Sequence, residues 1–452
     1  MDLIITIFAF LILIAIIVAI HEGGHYVAAL WCRIKVLEFS LGFGPKVFEK
    51  RLGKDNTLFT LRALPLGGFV KPLEKGAIPD EEFEKLSEED KKRTFANAKK
   101  WQKAIMVAGG PLSNFVLAFV IFFLSFTFFG SQGTVAKIDQ IIPDTFFAQY
   151  SLKKGEIIQE IDGKKIDFAN DAFVTLHNAA MIGKKVVIKT DIQTVEVDFK
   201  KLDLGQFHEN LQELMGIYFQ GKLGEINITK VNKDSPSEKA GLKEKDILIA
   251  VNKEETQNLS QVLRDIKYSA NKELIFTVKR NNELVDLTVI PEAVPNGAFL
   301  VGKIGLTFNV EKVTNLITKN YSMTEMISMS VEKVISQSYA TIMSIKKLIT
   351  GELSHKAISG PLTIAEYSGK TFQMGIISYL SLMGAISIAV GVFNLLPVPM
   401  LDGGHLIQYA IEGVIRKDFT VEQLKVGQYV GIAFMMSLFG FAMINDITRI
   451  FF

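Results

Sequence analysis

Residues 3–25 read LIITIFAFLILIAIIVAIHEGGH. The part from Leu3 to Ile20 carries no charge and reaches the length of about 18 residues that a membrane-spanning helix needs. His21 and His25 follow at once and, being four residues apart, lie on one face of the same helix. An apolar span that runs directly into ionisable side chains predicts a membrane protein with a functional site at the level of the membrane.

Three more uncharged apolar runs are long enough to cross a bilayer, namely Ile105–Gly130, Met374–Leu396 and Val426–Ile444. The chain of 452 residues is 48% hydrophobic with a mean hydropathy of +0.26, yet 22% of its residues are charged, so apolar and charged segments must alternate along it. The sequence therefore predicts a polytopic α-helical membrane protein with four transmembrane helices. A net charge of +2 without a dense basic face excludes a nucleic-acid partner.

The distribution of lysine and arginine predicts the orientation of these helices. Residues 33–103 are rich in both, and short basic loops stay in the cytoplasm. The N-terminus and residues 131–373 would then lie outside, whereas the loop that carries Arg416, Lys417 and Lys425 would lie inside.

The first span lies where a signal peptide would lie, but two features distinguish it from one. Asp2 stands where a basic residue is expected, and no small-residue cleavage site precedes His21, so we expect a retained helix. Cys32 is the single cysteine, so no intrachain disulfide is available, and we expect its side chain to be buried.

A repeat with an offset of 90 residues divides the long outer segment. The stretch from Leu152 to Asp162 aligns with the stretch from Leu242 to Asn252, and later apolar positions keep the same offset. Strands, a polar turn, one helix and further strands in each copy predict a small β-rich fold that occurs twice. The second copy, with SPSEKAGLKEKDILIAVNKEE from Ser235 to Glu255, resembles a PDZ domain. The first copy departs from that pattern at residues 149–151, where Gln-Tyr-Ser replaces the expected Ala-Gly.

Three patterns each allow two interpretations. PDZ domains bind extended peptides at an open sheet edge, so the two copies either capture peptide segments or exclude large substrates by size. From Ser322 to Leu353 apolar residues recur at helical spacing, which is typical of a helix lying on the membrane and also of a packing helix. Gly109-Gly110-Pro111 lies inside the second span, where it either bends the helix beside a cavity or kinks it for packing.

The pentapeptide His21-Glu22-Gly23-Gly24-His25 has the spacing of a metal site. Two imidazoles four residues apart can share one zinc ion, and a catalytic zinc site keeps one position for water. Glu22 can accept the proton of that water, which makes the pentapeptide a complete hydrolytic device with Zn²⁺ as its cofactor. Gly23 and Gly24 each weaken a helix by about 1 kcal/mol relative to alanine, which indicates close approach of another backbone.

A third protein ligand is needed for such a site. The other histidines that we considered, His177, His208 and His355, lie in segments assigned outside the membrane. The segment NLLPVPMLDGGH, residues 394–405, follows the third span and places Asp402 at a broken helix end on the same side as HEGGH. Asp402 is therefore the predicted third ligand.

These motifs together resemble those of a known family. HEGGH in the first span, NLLPVPMLDGGHL near the third and PDZ-like inserts between them are similar to the site-2 protease family of intramembrane zinc metalloproteases. The bacterial regulator-of-sigma-E type with tandem PDZ domains is the most similar subgroup. Further matching segments are residues 39–45 (FSLGFGP), 65–71 (PLGGFVK) and 110–114 (GPLSN), and His405 matches as a motif position. The resemblance covers essentially the whole chain.

The resemblance implies a role for several matching positions. His21, His25 and Asp402 would bind zinc, and Glu22 would be the general base. Asn394 would contact the backbone of the substrate.

Two segments, Phe39–Pro45 and Leu66–Lys71, resemble the family's membrane-associated β-loops. These would engage an unwound substrate strand, with Gly67, Gly68 and Phe69 in contact with it. A transmembrane helix resists proteolysis because its backbone groups are bonded to each other, so the substrate has to unwind, and strand pairing would hold it unwound.

The complete expectation is four transmembrane helices plus two extracytoplasmic PDZ-like domains, mainly β with α+β character. The expected segments are 1–32 for the first transmembrane helix with HEGGH, 33–103 for a cytoplasmic and membrane-associated β-loop segment, 104–130 for the second transmembrane helix, 131–220 and 221–310 for the PDZ-like domains, 311–373 for connecting amphipathic helices, and 374–452 for the third and fourth transmembrane helices. We expect a bacterial inner-membrane protein with the PDZ-like domains in the periplasm and the active site toward the cytoplasm. Its partners would be the lipid bilayer, peptide segments at the PDZ-like domains, and single-span membrane proteins such as anti-sigma factors or signal-peptide remnants.

A membrane scaffold or adaptor is the alternative function. In that case the PDZ-like copies act and the metal merely stabilises the helices, but a structural zinc site has no need of Glu22. A metal transporter would carry ionisable residues on several spans, whereas here they gather at one depth. The sequence does not name the substrates, the activation signal or the oligomeric state.

Overall fold

The computed structural model describes residues 3–202, 211–256, 258–296, 299–350 and 359–451. These form two compact units. The membrane unit comprises the chain up to Gly130 and from Asn320 onward, and the insertion unit comprises Ser131–Lys319. The helices are α1 (Leu3–Trp31), α2 (Asp80–Glu84), α3 (Glu88–Lys92), α4 (Lys100–Phe129), α5 (Ala169–Met181), α6 (Leu211–Met215), α7 (Pro236–Lys239), α8 (Leu259–Lys267), α9 (Met323–Ile349), α10 (Pro361–Gln373), α11 (Ile376–Asn394), α12 (Asp402–Ile415) and α13 (Val421–Phe451). The strands are β1 (Val36–Leu52), β2 (Thr57–Pro72), β3 (Ser131–Thr134), β4 (Ile138–Ile141), β5 (Ile158–Ile161), β6 (Lys164–Lys165), β7 (Lys185–Thr190), β8 (Thr194–Asp198), β9 (Ile217–Phe219), β10 (Glu225–Val231), β11 (Ile247–Val251), β12 (Glu254–Glu255), β13 (Leu274–Arg280), β14 (Glu283–Val289), β15 (Glu292–Asn296), β16 (Phe299–Lys303), β17 (Leu306–Glu311) and β18 (Leu316–Lys319).

Within the described residues, four helices of the membrane unit are long and apolar enough to span a bilayer, as the sequence predicts. They are α1, α4, α11 and the Val421–Thr448 part of α13. The chain is therefore a membrane protein that also carries a β-rich unit. Helix α1 continues past its uncharged run as far as Trp31, so HEGGH lies within the helix rather than beyond its end.

Helices α1, α4 and α11 share one apolar core. Its buried residues are Ala9, Leu13 and Ile17 of α1, Ala118, Ile121 and Phe122 of α4, and Tyr379, Met383, Ile388 and Val392 of α11. The Tyr379 hydroxyl donates a hydrogen bond of 2.6 Å to the Ala9 carbonyl, so this buried polar group is paired. The three helices thus hold each other in position, and each leads toward residues of the predicted site.

The glycines of α1 and α4 allow these two helices to touch. A Cβ added at Gly24 would lie 2.2 Å from the carbonyl oxygen of Gly109, and one at Gly109 would lie 2.5 Å from that of Gly24. Helix α4 remains continuous across Pro111, so the structure favours the packing interpretation of Gly109-Gly110-Pro111. The close approach of a neighbouring helix is present at Gly24, whereas a Cβ at Gly23 would meet no described atom within 4 Å, so approach of a substrate backbone there stays a prediction.

The apolar stripe predicted from Ser322 onward belongs to α9. Val334 and Ile345 pack against the core shared by α1, α4 and α11. Ile327 and Ile335 are exposed on α9. Helix α9 is therefore a packing helix of the membrane unit that also presents an apolar face outward.

Strands β1 and β2 fold back on each other to form a sheet. Residues 36–43 pair with 57–62 on one side and with 64–72 on the other, and residues 46–52 pair with the far side of 57–62. Among the described residues no strand pairs with the outer edge of 64–72. The sheet thus ends in an open edge.

The end of α1 is joined to this sheet by a small apolar cluster. Ala29 and Cys32 pack with Ile34 and Val36 and with Met106 of α4. Cys32 is buried and forms no disulfide, as predicted.

The two ends of the insertion unit lie side by side. Strand β3 pairs antiparallel with β18, and Ser131 is the partner of Lys319. The connecting helices were expected to begin at residue 311, but residues 316–319 form β18, and the first of these helices, α9, begins at Met323. The unit therefore closes on itself where it leaves the membrane unit.

The elements within the insertion unit recur in the same order. The 3-10 turn Phe146–Gln149 and α7, β6 and β12, and α5 and α8 each begin 90 residues apart. Strand pairing recurs as well, because β5 pairs with β6 and β7 as β11 pairs with β12 and β13. Leu176 and Ile188 are buried in the first core, and the aligned Ile266 and Val278 are buried in the second. One small fold is present twice.

Candidate metal centre

The side chains of His21, His25 and Asp402 meet at one point of the membrane unit. The Nε2 atoms of the two histidines are 3.2 Å apart. The carboxylate oxygens of Asp402 lie 3.4 Å from His21 Nε2 and 3.6 Å from His25 Nε2. The described chain thus brings together the three residues that the sequence predicts as metal ligands, although Asp402 lies far from the histidines in sequence.

Asp402 reaches this point because the chain turns sharply between α11 and α12. Helix α11 ends at Asn394, and α12 begins at Asp402. A Cβ at Gly403 or Gly404 would lie 2.3 Å from a backbone carbonyl oxygen of the preceding turn, so both positions need glycine. A carboxylate in the first turn of a helix also interacts favourably with the helix dipole. The turn therefore explains the Asp-Gly-Gly sequence.

The spacing of the three side chains suits zinc. A tetrahedral site with bonds of about 2.1 Å separates its ligand atoms by about 3.4 Å. The separations between the facing atoms are 3.2, 3.4 and 3.6 Å. The Oδ2 atom of Asp402 is buried without a hydrogen-bond partner among the described residues. A carboxylate that faces two imidazole nitrogens and has one oxygen unpaired fits a cation.

Helix α4 packs against both histidine rings. A Cβ at Gly110 would lie 2.3 Å from His25 Nε2 and 2.9 Å from His21 Cε1, so no larger residue fits between α4 and the two rings. The Ser113 hydroxyl donates to its own helix at the carbonyl oxygen of Gly110, 2.7 Å away, and also lies 2.8 Å from the carbonyl oxygen of Ile20, the residue before His21. Gly110 and Ser113 of the GPLSN segment therefore both contact the turn of α1 that carries the histidines.

The far sides of the imidazole rings also contact α4. His25 Nδ1 lies 2.9 Å from the carbonyl oxygen of Met106, and His21 Nδ1 lies 3.1 Å from the amide nitrogen of Asn114. Asn114 belongs to the GPLSN segment that matches the family, but no role was predicted for it. The signal that could have identified it is a side-chain amide within an otherwise apolar span.

Glu22 faces the β1–β2 sheet. A Cβ at Gly68 would lie 2.8 Å from Glu22 Cγ and 2.6 Å from the carbonyl oxygen of Ser40, so glycine allows the strand to approach the carboxylate. Glu22 is half-buried, and its carboxylate has no hydrogen-bond partner among the described residues. It therefore lies between the predicted metal ligands and the sheet.

The predicted β-loop residues lie in the last part of β2. Gly67 has a φ of 106°, which favours glycine, and its position is packed against the ring of Phe43. Gly68 pairs with Leu41 and Phe69 pairs with Ser40. The Arg62 guanidinium lies 5.6 Å from the centre of the Phe69 ring. Both predicted loops, Phe39–Pro45 and Leu66–Lys71, are thus strand segments of one sheet.

Among the described residues, none of the remaining candidates belongs to the group of three possible metal ligands. Asn394 is the last residue of α11, and its side chain makes no hydrogen bond within the described chain. His405 is on α12 and stacks on Tyr409 with ring centres 6.5 Å apart. His177 is on α5 of the insertion unit. His208 and His355 lie outside the described residues.

Comparisons with known proteins give matches along the whole chain. The sequence model of peptidase family M50 matches residues 9–438. Over 98% of its length the chain is 33% identical to a Neisseria meningitidis protein whose name describes a zinc metalloprotease, and it covers 99% of that protein. It is 30% identical to the regulator of sigma E protease of Haemophilus influenzae, with 98% of each chain covered. It is 27% identical to the regulator of sigma-E protease RseP of Escherichia coli, again with 98% of each chain covered.

Proposed function

The chain belongs to peptidase family M50 and is a zinc metalloprotease of the inner membrane, and we propose that it hydrolyses peptide bonds within or near the transmembrane segments of single-span membrane proteins. One observation carries this proposal. His21, His25 and Asp402 converge on α1, a helix long and apolar enough to span the bilayer. A hydrolytic site on such a helix acts at the level of the membrane, where the peptide bonds within reach are those of membrane-spanning segments.

His21 and His25, through their Nε2 atoms, and the Asp402 carboxylate would hold the zinc ion. When bound, zinc lowers the pKa of a water molecule and polarises the carbonyl group of the peptide bond. The three protein ligands leave one position of a tetrahedral site open. Gly110 lets α4 lie directly against the two imidazole rings, so the helix would occupy one side of the bound ion's surroundings.

Glu22 is the proposed general base. Its carboxylate takes a proton from the water as the water oxygen bonds to the carbonyl carbon, and it returns that proton to the departing nitrogen as the C–N bond breaks. Its neighbour in sequence is His21, and Gly68 of the sheet lies against its side chain. A substrate held at the sheet would therefore pass close to both the base and the ligands.

The open edge of residues 64–72 is the proposed docking site for an unwound substrate strand. An edge strand offers unpaired N–H and C=O groups, which a peptide can satisfy by strand addition. Gly67, Gly68 and Phe69 would contact the added strand. Asn394 would donate or accept the hydrogen bonds that the unwound substrate loses, since its amide group has no partner among the described residues.

The two copies in the insertion unit are proposed to be PDZ-like domains in the periplasm, with the active site toward the cytoplasm. The basic character of residues 33–103 supports this orientation. Peptide capture and exclusion by size both remain compatible with two copies of such a fold. The names of the relatives support anti-sigma factors as substrates, and signal-peptide remnants are the second substrate class that we propose.

The test compares purified wild type with Glu22→Gln on a single-span test substrate in detergent, with the zinc content of both proteins measured. We expect Glu22→Gln to keep its zinc and to lose cleavage by a factor on the order of 10² to 10⁴, because the proton acceptor is gone. Glu49→Gln, at an exposed position of β1, is the matched control and should retain both properties.

Two outcomes would contradict the proposal. Equal cleavage by wild type and Glu22→Gln would reject Glu22 as the base. A wild type that holds zinc through these three residues but cuts no membrane-spanning substrate would favour a scaffold with a structural metal.

A further inference from the structure

Asn114 is a fully buried amide on α4 beside His21. Its Nδ2 atom lies 3.1 Å from His21 Nδ1. Its Oδ1 atom is buried and has no hydrogen-bond partner among the described residues. An unpaired buried polar atom costs about 1–3 kcal/mol, so an apolar residue would be less costly here unless the amide has a task.

The contact that His25 makes with α4 indicates what the amide of Asn114 does for His21. His25 Nδ1 lies 2.9 Å from the carbonyl oxygen of Met106. A carbonyl oxygen only accepts, so the hydrogen of the neutral His25 ring is on Nδ1. The lone pair of Nε2 is then free, and Nε2 is the atom that faces Asp402. The backbone of α4 therefore selects the form of His25 that can bind a metal.

The same requirement applies to His21, whose Nε2 atom also faces Asp402. A free lone pair on Nε2 places the hydrogen of the neutral ring on Nδ1, and an N–H needs an acceptor. The nitrogen of an amide cannot accept, but a half-turn of the amide exchanges its oxygen and nitrogen at nearly the same positions. In the present orientation the far end of the amide, Oδ1, has no hydrogen-bond partner among the described residues, so no other contact holds the amide against this half-turn.

We propose that Asn114 is a positioning residue whose Oδ1 accepts a hydrogen bond from His21 Nδ1–H and so fixes the ring and tautomer of His21 for zinc. This inference rests on the zinc ligands of the proposed function. Helix α4 then orients both imidazoles, one through a backbone carbonyl and the other through a side chain.

Two features of the site support asparagine at this position. The carbonyl oxygen of Asn114 accepts a hydrogen bond of 2.8 Å from the Ser387 hydroxyl of α11, which fixes the backbone behind the amide. An amide also supplies an acceptor without a charge, and an isolated charge inside a membrane span is costly.

The test measures the zinc affinity of the full chain by competition with a chelator. Asn114→Leu has a similar size but no acceptor, and we expect it to bind zinc about 10 to 100 times more weakly than wild type. Asn114→Asp has only acceptor atoms and should bind zinc at least as tightly as wild type. Ser125→Ala, another buried polar position of α4 that donates to the backbone of its own helix, is the matched control and should not change the affinity.

A second readout is the visible absorption spectrum of the Co²⁺-loaded proteins, which reports the geometry of the bound metal. Asn114→Asp should retain the wild-type spectrum, and Asn114→Leu should not. An affinity of Asn114→Leu equal to that of wild type would overturn the inference. So would a loss of affinity in Asn114→Asp, because the nitrogen of the amide would then be the required end.

The Asp variant decides the matter even if the Leu variant fails to fold. Failure of the proposed function has a different signature. In that case His21→Ala binds zinc as tightly as wild type does, whatever residue is present at position 114.

Discussion

Gly110 of α4 packs against the rings of both candidate histidine ligands. The hydrogen atom of glycine leaves room for the rings, whereas a Cβ would lie 2.3 Å from His25 Nε2 and 2.9 Å from His21 Cε1. Neither ring can simply withdraw, because His25 Nδ1 is hydrogen-bonded to Met106 and His21 Nδ1 contacts Asn114. A methyl group at this position must therefore move at least one metal-binding nitrogen.

We expect Gly110→Ala to lower the zinc affinity at least tenfold and to lower cleavage in parallel, because metal sites lose affinity when a ligand is displaced. The fold should survive, since alanine favours a helix by about 1 kcal/mol over glycine. Zinc content after purification and the midpoint of thermal unfolding are the two measurements.

The matched control is Gly440→Ala in α13, where a Cβ would meet no described atom within 4 Å. It should leave zinc content unchanged. Wild-type zinc content in Gly110→Ala would show that the histidines do not depend on this contact.

At the scale of elements, α12 connects the third candidate ligand to α4. Asp402 begins this helix, and Glu412 lies near its end with only 7% of its surface exposed. The Glu412 carboxylate accepts hydrogen bonds from Gln408, from the backbone N–H of Phe419 and from Lys100 of α4. Because a helix is stiff, a bond between its end and α4 also determines where Asp402 points. The candidate ligands on α1 and on α12 are thus both positioned relative to α4.

We expect Glu412→Gln to destabilise the protein in a pH-dependent way. Burial alone would raise the pKa of Glu412, but the hydrogen bonds from Gln408, Phe419 and Lys100 outweigh it and lower that pKa below its ordinary value. A carboxyl whose folded pKa is lowered contributes stability above its unfolded pKa of about 4.3 and loses it as the pH falls through the folded pKa. The difference in unfolding temperature between wild type and Glu412→Gln should therefore be large at neutral pH and clearly smaller at about pH 3, below the unfolded pKa.

Glu273→Gln, at an exposed position in the turn before β13, serves as the control. Its difference from wild type should stay small at both pH values. Thermal unfolding in detergent gives the comparison, and a Glu412→Gln difference that is the same at both pH values would show that the charge of Glu412 does not stabilise α12.

The sequence predicted the parts of the site that depend on local geometry. His21 and His25 share a face because helical spacing places them there, and Asp402 follows a proline-containing segment that had to break the helix. The partners of residues 38–41 could not be predicted in this way, because the segment pairs with two stretches at once. Gly23 and Gly24 look alike in sequence, and only the rotation of α1 against α4 makes Gly24 the contact. Sheet register and helix rotation both depend on residues far away in the chain.

At the scale of the whole molecule, the insertion unit enters and leaves the chain through one pair of strands. Ser131 is paired with Lys319 across β3 and β18, and partners in an antiparallel ladder have Cα atoms about 4.5–5.5 Å apart. The membrane unit has its own core, which contains no residue of the insertion unit. A short link should therefore be able to replace residues 131–319 without strain on α4 or α9.

We expect a variant in which a Gly-Ser linker of about four residues replaces 131–319 to keep its zinc, since all the candidate ligands and their partners on α4 belong to the membrane unit. It should also cut a short single-span substrate in a reaction that the Glu22→Gln change abolishes. Loss of zinc from the shortened chain would contradict the independence of the membrane unit.

The same variant distinguishes the two roles, peptide capture and exclusion by size, that remain open for the duplicated fold. Exclusion by size predicts that a substrate with a bulky outer domain, resistant to the full chain, becomes cleavable, whereas peptide capture predicts a higher KM for every substrate and no gain with the bulky one.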